Sequence, residues 1–290
     1  MDEYVRPAKE EKRVDLHAHT TCSDGTISPG ELIHLAKKKG LSAVAVTDHD
    51  TTAGLTAAMA EGARIGMEVI PGIEFSTNLE EREIHIIGLF LRPECPSLQA
   101  SLQRMRETRN ERNRASIQKL ADAGFSVSME DLKRYGDEAI LTRGHIGKLL
   151  VDRGYAPDVK TAIRTYLIRG CAGYVRRMTP PPAEAILRIH EAGGLAFVAH
   201  PHQIYRDSPE DSLRVCRLIL EQGADGLETR YSEYDGWWKE KTEALAREFS
   251  CLRSGGSDFH GTLKKGLELG CGYGDLLVPY SFLDKMREAL

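Results

Sequence analysis

Residues 42–49 have the sequence SAVAVTDH, in which a short apolar run ends in an aspartate and a histidine. The alternating alanines and valines suit a strand that is buried on both faces. The preceding sequence SPGE at residues 28–31 has the pattern of a capping box with proline at the first helical position, and Gly40 is placed to end that helix. A helix that leads directly into a buried strand is typical of a parallel β/α fold.

The same alternation extends along the chain on both sides of this unit. Strand patterns occur at residues 14–16, 42–47, 68–75, 83–91, 195–199, 226–229 and 252–255. Helices other than the first are predicted at residues 52–65, 183–192, 210–222 and 237–249. Strands and helices at this spacing favour parallel β/α units, arranged as a barrel or as a doubly wound sheet.

The central part of the chain has a different pattern, without strand signals. Helices are predicted there at residues 97–123, 129–134, 143–153 and 158–167. Three prolines at residues 180–182 close the region. We therefore predict an all-helical insertion at residues 94–181, between two parts of one α/β domain at residues 13–93 and 182–290.

Composition and charge indicate an ordinary globular protein. The 290 residues suffice for one large domain with an insertion, and 41% of them are hydrophobic. The net charge of −4 gives no electrostatic reason to expect a nucleic-acid polymer as an obligatory partner. A small phosphorylated ligand remains compatible with this charge, because it needs only a local basic pocket.

The cysteines and the hydropathy pattern bear on where the protein resides. Six scattered cysteines without a CxxC pair predict free thiols in a reducing cytosol. No apolar run has the length of a signal peptide core or a membrane span. We therefore expect a cytoplasmic protein with no membrane contact, and no feature indicates an obligatory protein partner.

Histidines and carboxylates cluster at the predicted strand ends. The motif His17-Ala18-His19 follows the first strand, and alternation along a strand places its two imidazoles on one face. Alone this motif is a weak signal. Further candidates at or near strand ends are Asp24, His49, Glu74, His85, His200, Asp258 and His260. Six of the ten histidines thus lie where parallel β/α proteins place their active sites, which favours a metal site.

The donor set indicates which metals the site would hold. Six imidazoles, three carboxylates and no thiolate suit Mn²⁺, Fe²⁺ or Zn²⁺. Nine ligands are too many for one tetrahedral ion, so we expect two or three divalent ions, with a carboxylate such as Glu74 as a bridge. Clustered ions of this kind acidify bound water and stabilise an in-line displacement, which predicts a metal-dependent hydrolase.

Six motifs, in this order and spacing, resemble the polymerase-and-histidinol-phosphatase (PHP) superfamily. They are DLHAHTTCSDG at residues 15–25, VTDHD at 46–50, GIEFS at 72–76, EIHIIGLF at 83–90, AFVAHP at 196–201 and GGSDFH at 255–260. The resemblance implies a distorted, seven-stranded β/α (TIM-like) barrel with a three-metal site and phosphoesterase activity.

The resemblance also implies how the ligands are shared. One ion would be bound by His17, His19, Glu74 and Asp258. A second would take Glu74, His85 and His200, and a third Asp24, His49 and His260. Many superfamily members have histidine where this chain has Asp24.

The helical region narrows the resemblance. The sequences RETRNERN at residues 106–113, TRGHIGKLLVDRGY at 142–155 and TYLIRGCAGYV at 165–175 are similar to one subgroup. That subgroup includes nucleoside 3′,5′-bisphosphate phosphatases and 5′-to-3′ oligoribonucleotide exonucleases. Its Arg-Pro-His motif holds a substrate phosphate over the metals. Arg143 and His145 match the motif, with Gly144 in place of proline, so the insertion would form a lid that grips one phosphate.

We therefore expect a phosphoesterase that acts on a small nucleotide, with a nucleoside 3′,5′-bisphosphate as the first candidate and short RNA as the second. Alternatives are a phosphatase for a metabolite such as histidinol phosphate, and a non-catalytic metal-binding module. Asp48 is expected to orient a metal-bound histidine. Arg106 and Arg109 are expected on a solvated helix face, and His202 is a minor candidate for proton donation. Glu228 faces the same side as the ligands but has no assigned role.

Overall fold

The computed structural model describes residues 12–135, 141–176, 178–204 and 208–290. One sheet of seven strands occupies its centre, in the sequential order β1 to β7. The strands are β1 (Val14–Asp15), β2 (Ala43–Val46), β3 (Glu68–Leu79), β4 (Arg82–Leu89), β5 (Leu195–Val198), β6 (Gly226–Tyr231) and β7 (Leu252–Gly256).

The two ends of the sheet meet beyond β1 and β7. The Leu16 amide donates to the Gly255 carbonyl at 3.1 Å, and the Asp258 amide donates to the His17 carbonyl at 2.8 Å. Ala18 and Phe259 form a parallel bridge between the same segments. These contacts nearly close the sheet into a barrel, which confirms the expected seven-stranded barrel.

Strand β4 is the exception to the parallel arrangement. It runs antiparallel to both β3 and β5, whereas the other neighbouring strands are parallel. Only Glu80 and Glu81 join β3 to β4, both with positive φ, at 51° and 61°. A parallel crossover needs a dozen or more residues, so this link permits only a hairpin. The expectation of a parallel unit was wrong at this strand, and the hairpin is what distorts the barrel.

Six helices accompany the barrel strands in the described residues. They are α1 (Pro29–Lys38), α2 (Leu55–Ile65), α7 (Pro182–Glu191), α8 (Pro209–Glu221), α9 (Gly236–Glu248) and α10 (Ser281–Ala289). The capping box of α1 is present, because the Ser28 hydroxyl accepts from the Glu31 amide and the Glu31 carboxylate accepts from the Ser28 amide. The last helix, α10, was not predicted from the sequence.

In the described residues between β4 and α7, every regular element is a helix. It contains α3 (Pro96–Asp122), α4 (Met129–Lys133), α5 (Arg143–Asp152), α6 (Val159–Ala162) and a π-helical turn (Ile163–Leu167). These helices enclose a small core of their own, in which Leu120, Leu132, Ile146, Leu149 and Leu150 are fully buried. A separate core is what an inserted unit needs in order to keep its shape beside the barrel.

All six cysteines are free thiols, in line with the prediction from their spacing. Among the described residues, no helix combines the length and the apolar character needed to cross a bilayer.

Candidate metal centre

The fold brings all nine candidate residues to the carboxyl end of the barrel. Each of them belongs to at least one group of three or four side chains whose ligand atoms lie within 4.8 Å of one another. His17, His49 and His200 follow β1, β2 and β5 directly or within three residues, while Glu74 and His85 lie in the β3–β4 hairpin. The register of the sheet therefore explains the convergence of residues that are far apart in sequence.

Four side chains aim one atom each at a common point. The Nε2 atoms of His17 and His19 are 3.1 Å apart. Glu74 Oε2 lies 3.3 and 3.2 Å from these two nitrogens, and Asp258 Oδ1 lies 3.4 and 3.2 Å from them. Tetrahedral ligands with bonds of about 2.0–2.1 Å lie roughly 3.3–3.4 Å apart. Each carboxylate oxygen thus lies at first-shell spacing from both imidazole nitrogens.

The two oxygens of Glu74 face different histidines. Oε1 lies 2.9 Å from His85 Nδ1 and 2.8 Å from His200 Nε2. Oε2 faces His17 and His19 and also lies 3.1 Å from His49 Nδ1. A carboxylate in this position can bridge two cations.

A further group lies on the outer side of His19. His260 Nε2 is 3.3 Å and His49 Nε2 is 3.9 Å from Asp24 Oδ1. The rings of His19 and His260 are stacked with centroids 4.0 Å apart. His49 therefore presents Nδ1 to Glu74 and Nε2 to Asp24, so it can serve either neighbouring position.

Several buried nitrogen and oxygen atoms of the candidate ligands have no hydrogen-bond partner among the described residues. The unsatisfied atoms are His19 Nδ1, Asp24 Oδ1, His49 Nδ1, Glu74 Oε2, His85 Nε2 and His200 Nδ1. Unsatisfied buried polar atoms are uncommon and costly in native proteins. Their concentration at one place, on imidazole and carboxylate groups, is typical of a site built around cations.

The electrostatics of the cluster favour the ligand forms of several groups. Burial lowers the pKa of His49 to about 3 and also lowers the pKa of His200. Burial opposes ionisation of Glu74 and Asp258, yet the surrounding imidazoles hold the pKa of both carboxyls well below the usual range. His85 is the opposite case, because the adjacent Glu74 outweighs burial and raises the pKa of His85 to about 10, which favours the protonated imidazole. Neutral imidazoles and ionised carboxylates are the forms that bind metal.

Glu228 supports the site from below. Its Oε1 lies 3.0 Å from His17 Nδ1, and its Oε2 accepts from the His200 amide at 2.7 Å. The second bond holds His200 in a backbone conformation with φ of 27°. Glu228 thus orients two candidate ligands at once. The sequence predicted Glu228 at a strand end, whereas it lies within β6, and no sequence pattern could indicate these contacts.

Asp258 has two further partners that sequence reasoning missed. Its Oδ2 accepts from the Tyr231 hydroxyl at 2.6 Å and contacts the Lys264 ammonium. Oδ1 remains directed at His17 and His19. Tyr231 lies at the end of β6, where its position could have been noticed, whereas Lys264 lies in an irregular loop that no sequence pattern links to the site.

The expectation for Asp48 was wrong, and proton donation by His202 stays a prediction. Asp48 accepts from the Thr20 amide and hydroxyl, both at 2.7 Å, and from the Ser23 hydroxyl at 2.6 Å. It therefore positions the loop that carries Asp24, because these groups and not a histidine take up both of its oxygens. His202 pairs with Glu233 at 2.9 Å and belongs to none of the ligand groups.

A cavity of about 280 Å³ opens above the cluster. Its lining includes Asp24, His49, His85, Arg109, Arg112, Thr142 and Arg143. Arg143 is the first residue of α5, and its side chain is 35% exposed. Candidate ligands and arginines from the helical region thus line the same cavity.

Arg109 corrects the expectation of a solvated helix face. Only 3% of it is exposed, and it contacts the buried Asp50, which also accepts from the Ser76 amide at 2.7 Å. The buried carboxylate after β2 draws the guanidinium beneath α3, which the sequence pattern of one helix cannot reveal. Arg106, by contrast, is exposed as expected.

His145 uses one ring nitrogen within its own helix. Nδ1 accepts from the Thr142 amide at 2.9 Å, as part of the capping box of α5. A ring whose Nδ1 accepts a hydrogen bond carries its proton on Nε2 in the neutral form. Burial lowers the pKa of His145, which favours this neutral form.

Comparison with known proteins places this geometry in a family. The model of the PHP domain matches residues 15–175. The chain is 36% identical to the 5′-3′ exoribonuclease Rnm of Escherichia coli over 248 residues, which cover 85% of this chain and 84% of the relative. It is 34% identical to the 3′,5′-nucleoside bisphosphate phosphatase of Chromobacterium violaceum over 261 residues, which cover 89% of this chain and 90% of the relative.

Solved structures give the same result. An amidohydrolase from Chromobacterium violaceum, with bound sulfate and no metal, superimposes with a TM-score of 0.80 at 33% identity and covers 89% of this chain and 90% of its own. A protein of Bifidobacterium adolescentis, provisionally described as a metal-dependent phosphoesterase, superimposes with a TM-score of 0.82 at 26% identity. The match covers 97% of this chain and 96% of that protein. The chain belongs to the PHP domain family and is a metal-dependent hydrolase of phosphoric ester bonds.

Proposed function

We propose that the nine strand-end residues bind two or three divalent ions, Mn²⁺, Fe²⁺ or Zn²⁺, and that the enzyme hydrolyses a phosphomonoester of a small nucleotide. A nucleoside 3′,5′-bisphosphate is the first candidate substrate and short RNA is the second. The observation that carries the proposal is one cavity lined both by convergent candidate ligands and by arginines.

The distances support three overlapping ligand sets. In the tightest set, His17 and His19 lie 3.1 Å apart at Nε2, and both lie 3.2–3.4 Å from Glu74 Oε2 and from Asp258 Oδ1. His85 and His200 face the other oxygen of Glu74, Oε1, and Asp24, His49 and His260 form the outer set. When bound, such ions supply an activated water and stabilise the negative charge of an in-line displacement at phosphorus.

The arginines suit a second phosphate group. Arg143 can contact phosphate oxygens through two parallel N–H donors, and Arg109 and Arg112 add positive charge to the same cavity. The neutral His145 can donate one hydrogen bond from Nε2. We assign Arg143 and His145 to holding the phosphate that is not cleaved.

This arrangement supports a bisphosphate over a monophosphate as the substrate. Ions at the strand ends would hold the phosphate that is cleaved, and the arginines would hold the other. A substrate such as histidinol phosphate carries one phosphate and would leave the arginines without an anion. The names of the two relatives, an exoribonuclease and a bisphosphate phosphatase, both describe substrates with two or more phosphates.

We further propose that residues 94–181 act as a substrate lid over a barrel formed by residues 13–93 and 182–290. The buried contact between Arg109 of α3 and Asp50 of the barrel supports this division, because it anchors the helical region beside the site. Arg143 then reaches the cavity from the first turn of α5.

A substrate panel tests the proposal. Purified protein supplied with Mn²⁺ should release phosphate from adenosine 3′,5′-bisphosphate faster than from AMP or histidinol phosphate, and should shorten a small RNA. Faster turnover of histidinol phosphate would favour the metabolite phosphatase. Absence of phosphate release from every compound would contradict the phosphoesterase assignment.

A further inference from the structure

We propose that a groove beside the catalytic cavity binds the next nucleotide of an oligoribonucleotide substrate. This flanking groove has a volume of about 420 Å³, and its lining includes Glu81, Glu83, Arg143, Arg169, Tyr174 and Arg176. The inference rests on the proposed function, because it assigns a path to the part of the substrate that the catalytic cavity cannot contain.

The flanking groove adjoins the catalytic cavity. Glu83 and Arg143 line both, so a chain that leaves the cavity past these residues meets the groove. A third cavity of about 310 Å³, lined by residues such as Thr52 and Gln99, shares none of its described lining with the catalytic one. The shared lining therefore favours the flanking groove as an exit for a longer substrate.

The size of the catalytic cavity makes such an exit necessary. Its volume of about 280 Å³ lies at the lower end of the range for pockets that enclose a single small ligand, which starts at about 300 Å³. One nucleotide fills a space of this size. A second nucleotide must then lie outside it, and the flanking groove is large enough to accept one.

The charged groups of the flanking groove suit a phosphodiester backbone. Arg169 and Arg176 reach Glu81 at 3.2 and 3.6 Å, and their side chains are 81% and 62% exposed. Exposed ion pairs of this kind contribute little to stability. A phosphate can therefore replace Glu81 as the partner of both guanidinium groups at low cost.

An aromatic side chain gives the flanking groove a surface that suits an unpaired base. Tyr174 lies half-buried in the lining, between the two arginines in sequence. Proteins that bind single-stranded nucleic acid combine a basic groove with an aromatic surface on which bases stack.

Removal of the two outer arginines tests the assignment. The double variant R169A/R176A should lower kcat/KM for a 5′-phosphorylated pentaadenylate roughly tenfold, because two phosphate contacts are lost. Turnover of adenosine 3′,5′-bisphosphate should stay within about twofold of wild type, since surface substitutions away from the chemistry have small effects. The matched control is Arg217→Ala, an exposed arginine that pairs with Glu248 at 2.8 Å on the neighbouring helix.

A second variant should act in the opposite direction. Glu81→Gln removes the competing carboxylate and should tighten binding of the pentaadenylate, seen as a lower KM, with the bisphosphate KM unchanged. Equal effects of the arginine substitutions on both substrates, or none on either, would overturn the groove assignment. Failure of the wild-type enzyme to hydrolyse either substrate would instead contradict the proposed function, so the two failures are distinguishable.

Discussion

The barrel rim and the helical region above it contribute to one cavity by opposite means. At the rim the polar side chains are buried, His17 and His19 completely, and each is held by the others and by residues such as Glu228. In the helical region Arg143 and Arg169, which we assign to substrate, are 35% and 81% exposed, whereas Arg109 is buried against Asp50. On the proposed function, the rim would determine the chemistry and the exposed arginines would determine which substrate receives it.

The largest effect is expected from a change at the rim. Glu74→Gln keeps the size of the bridging group but removes its charge, and we expect kcat to fall by roughly 10³-fold on every substrate, as the stabilisation of charge by the ions is lost. Steady-state kinetics with metal analysis measures this. His34→Asn is the control, an exposed histidine paired with Glu61. Wild-type metal content and turnover in Glu74→Gln would show that the rim is not the catalytic centre.

A change in the helical region should separate the substrates. Arg143→Ala removes a charged phosphate contact, and we expect about a 100-fold loss in kcat/KM for adenosine 3′,5′-bisphosphate. Turnover of a generic aryl phosphate should change by less than about threefold, because that substrate has no second phosphate to hold. Arg134→Ala, at another exposed arginine of the helical region, provides the control. Equal losses on the two substrates would contradict the division of roles.

A smaller effect is expected one layer below the ligands. Glu228→Gln leaves His17 and His200 in place but weakens their orientation, so we expect metal affinity to fall by about tenfold. Titration against a chelator measures the affinity. The loss of activity at limiting metal should be the same for bisphosphate and aryl phosphate, and excess metal should restore both. A substrate-dependent loss would place Glu228 in contact with substrate instead.

The smallest effect concerns the flexibility of the lid. Gly144 is the second residue of α5, where a Cβ would lie 3.1 Å from the Thr142 hydroxyl. Gly144→Ala should raise the free energy of unfolding by about 0.5 kcal/mol, because alanine restricts the unfolded chain and favours helix. Urea denaturation measures the change, and a modest decrease in the bisphosphate KM should accompany it. A less stable protein would mean that the close approach of the new Cβ to Thr142 outweighs the effect of restricting the unfolded chain.

The strand-end residues could be predicted from the sequence far better than the contacts that support them, and the reason is physical. A residue at the end of a parallel strand is placed by the period of the strand and the register of the sheet. The sequence alone could therefore place His17, His49 and His200 at strand ends. The antiparallel β4 was missed because its short link to β3 was not read as a hairpin. Arg109 was misassigned because its partner Asp50 comes from a distant segment, which local periodicity does not report. Lys264 was missed because it lies six residues after Asp258 in an irregular loop, where no periodic pattern applies.

Metal content tests the central claim most directly. Elemental analysis of purified wild-type protein after exposure to Mn²⁺, followed by removal of free metal, should give two or three equivalents per chain, and the same analysis of Glu74→Gln should give markedly fewer. Wild-type protein that retains no divalent metal, or a Glu74→Gln variant that retains as much as wild type, would contradict the assignment of the strand-end cluster as the catalytic metal centre.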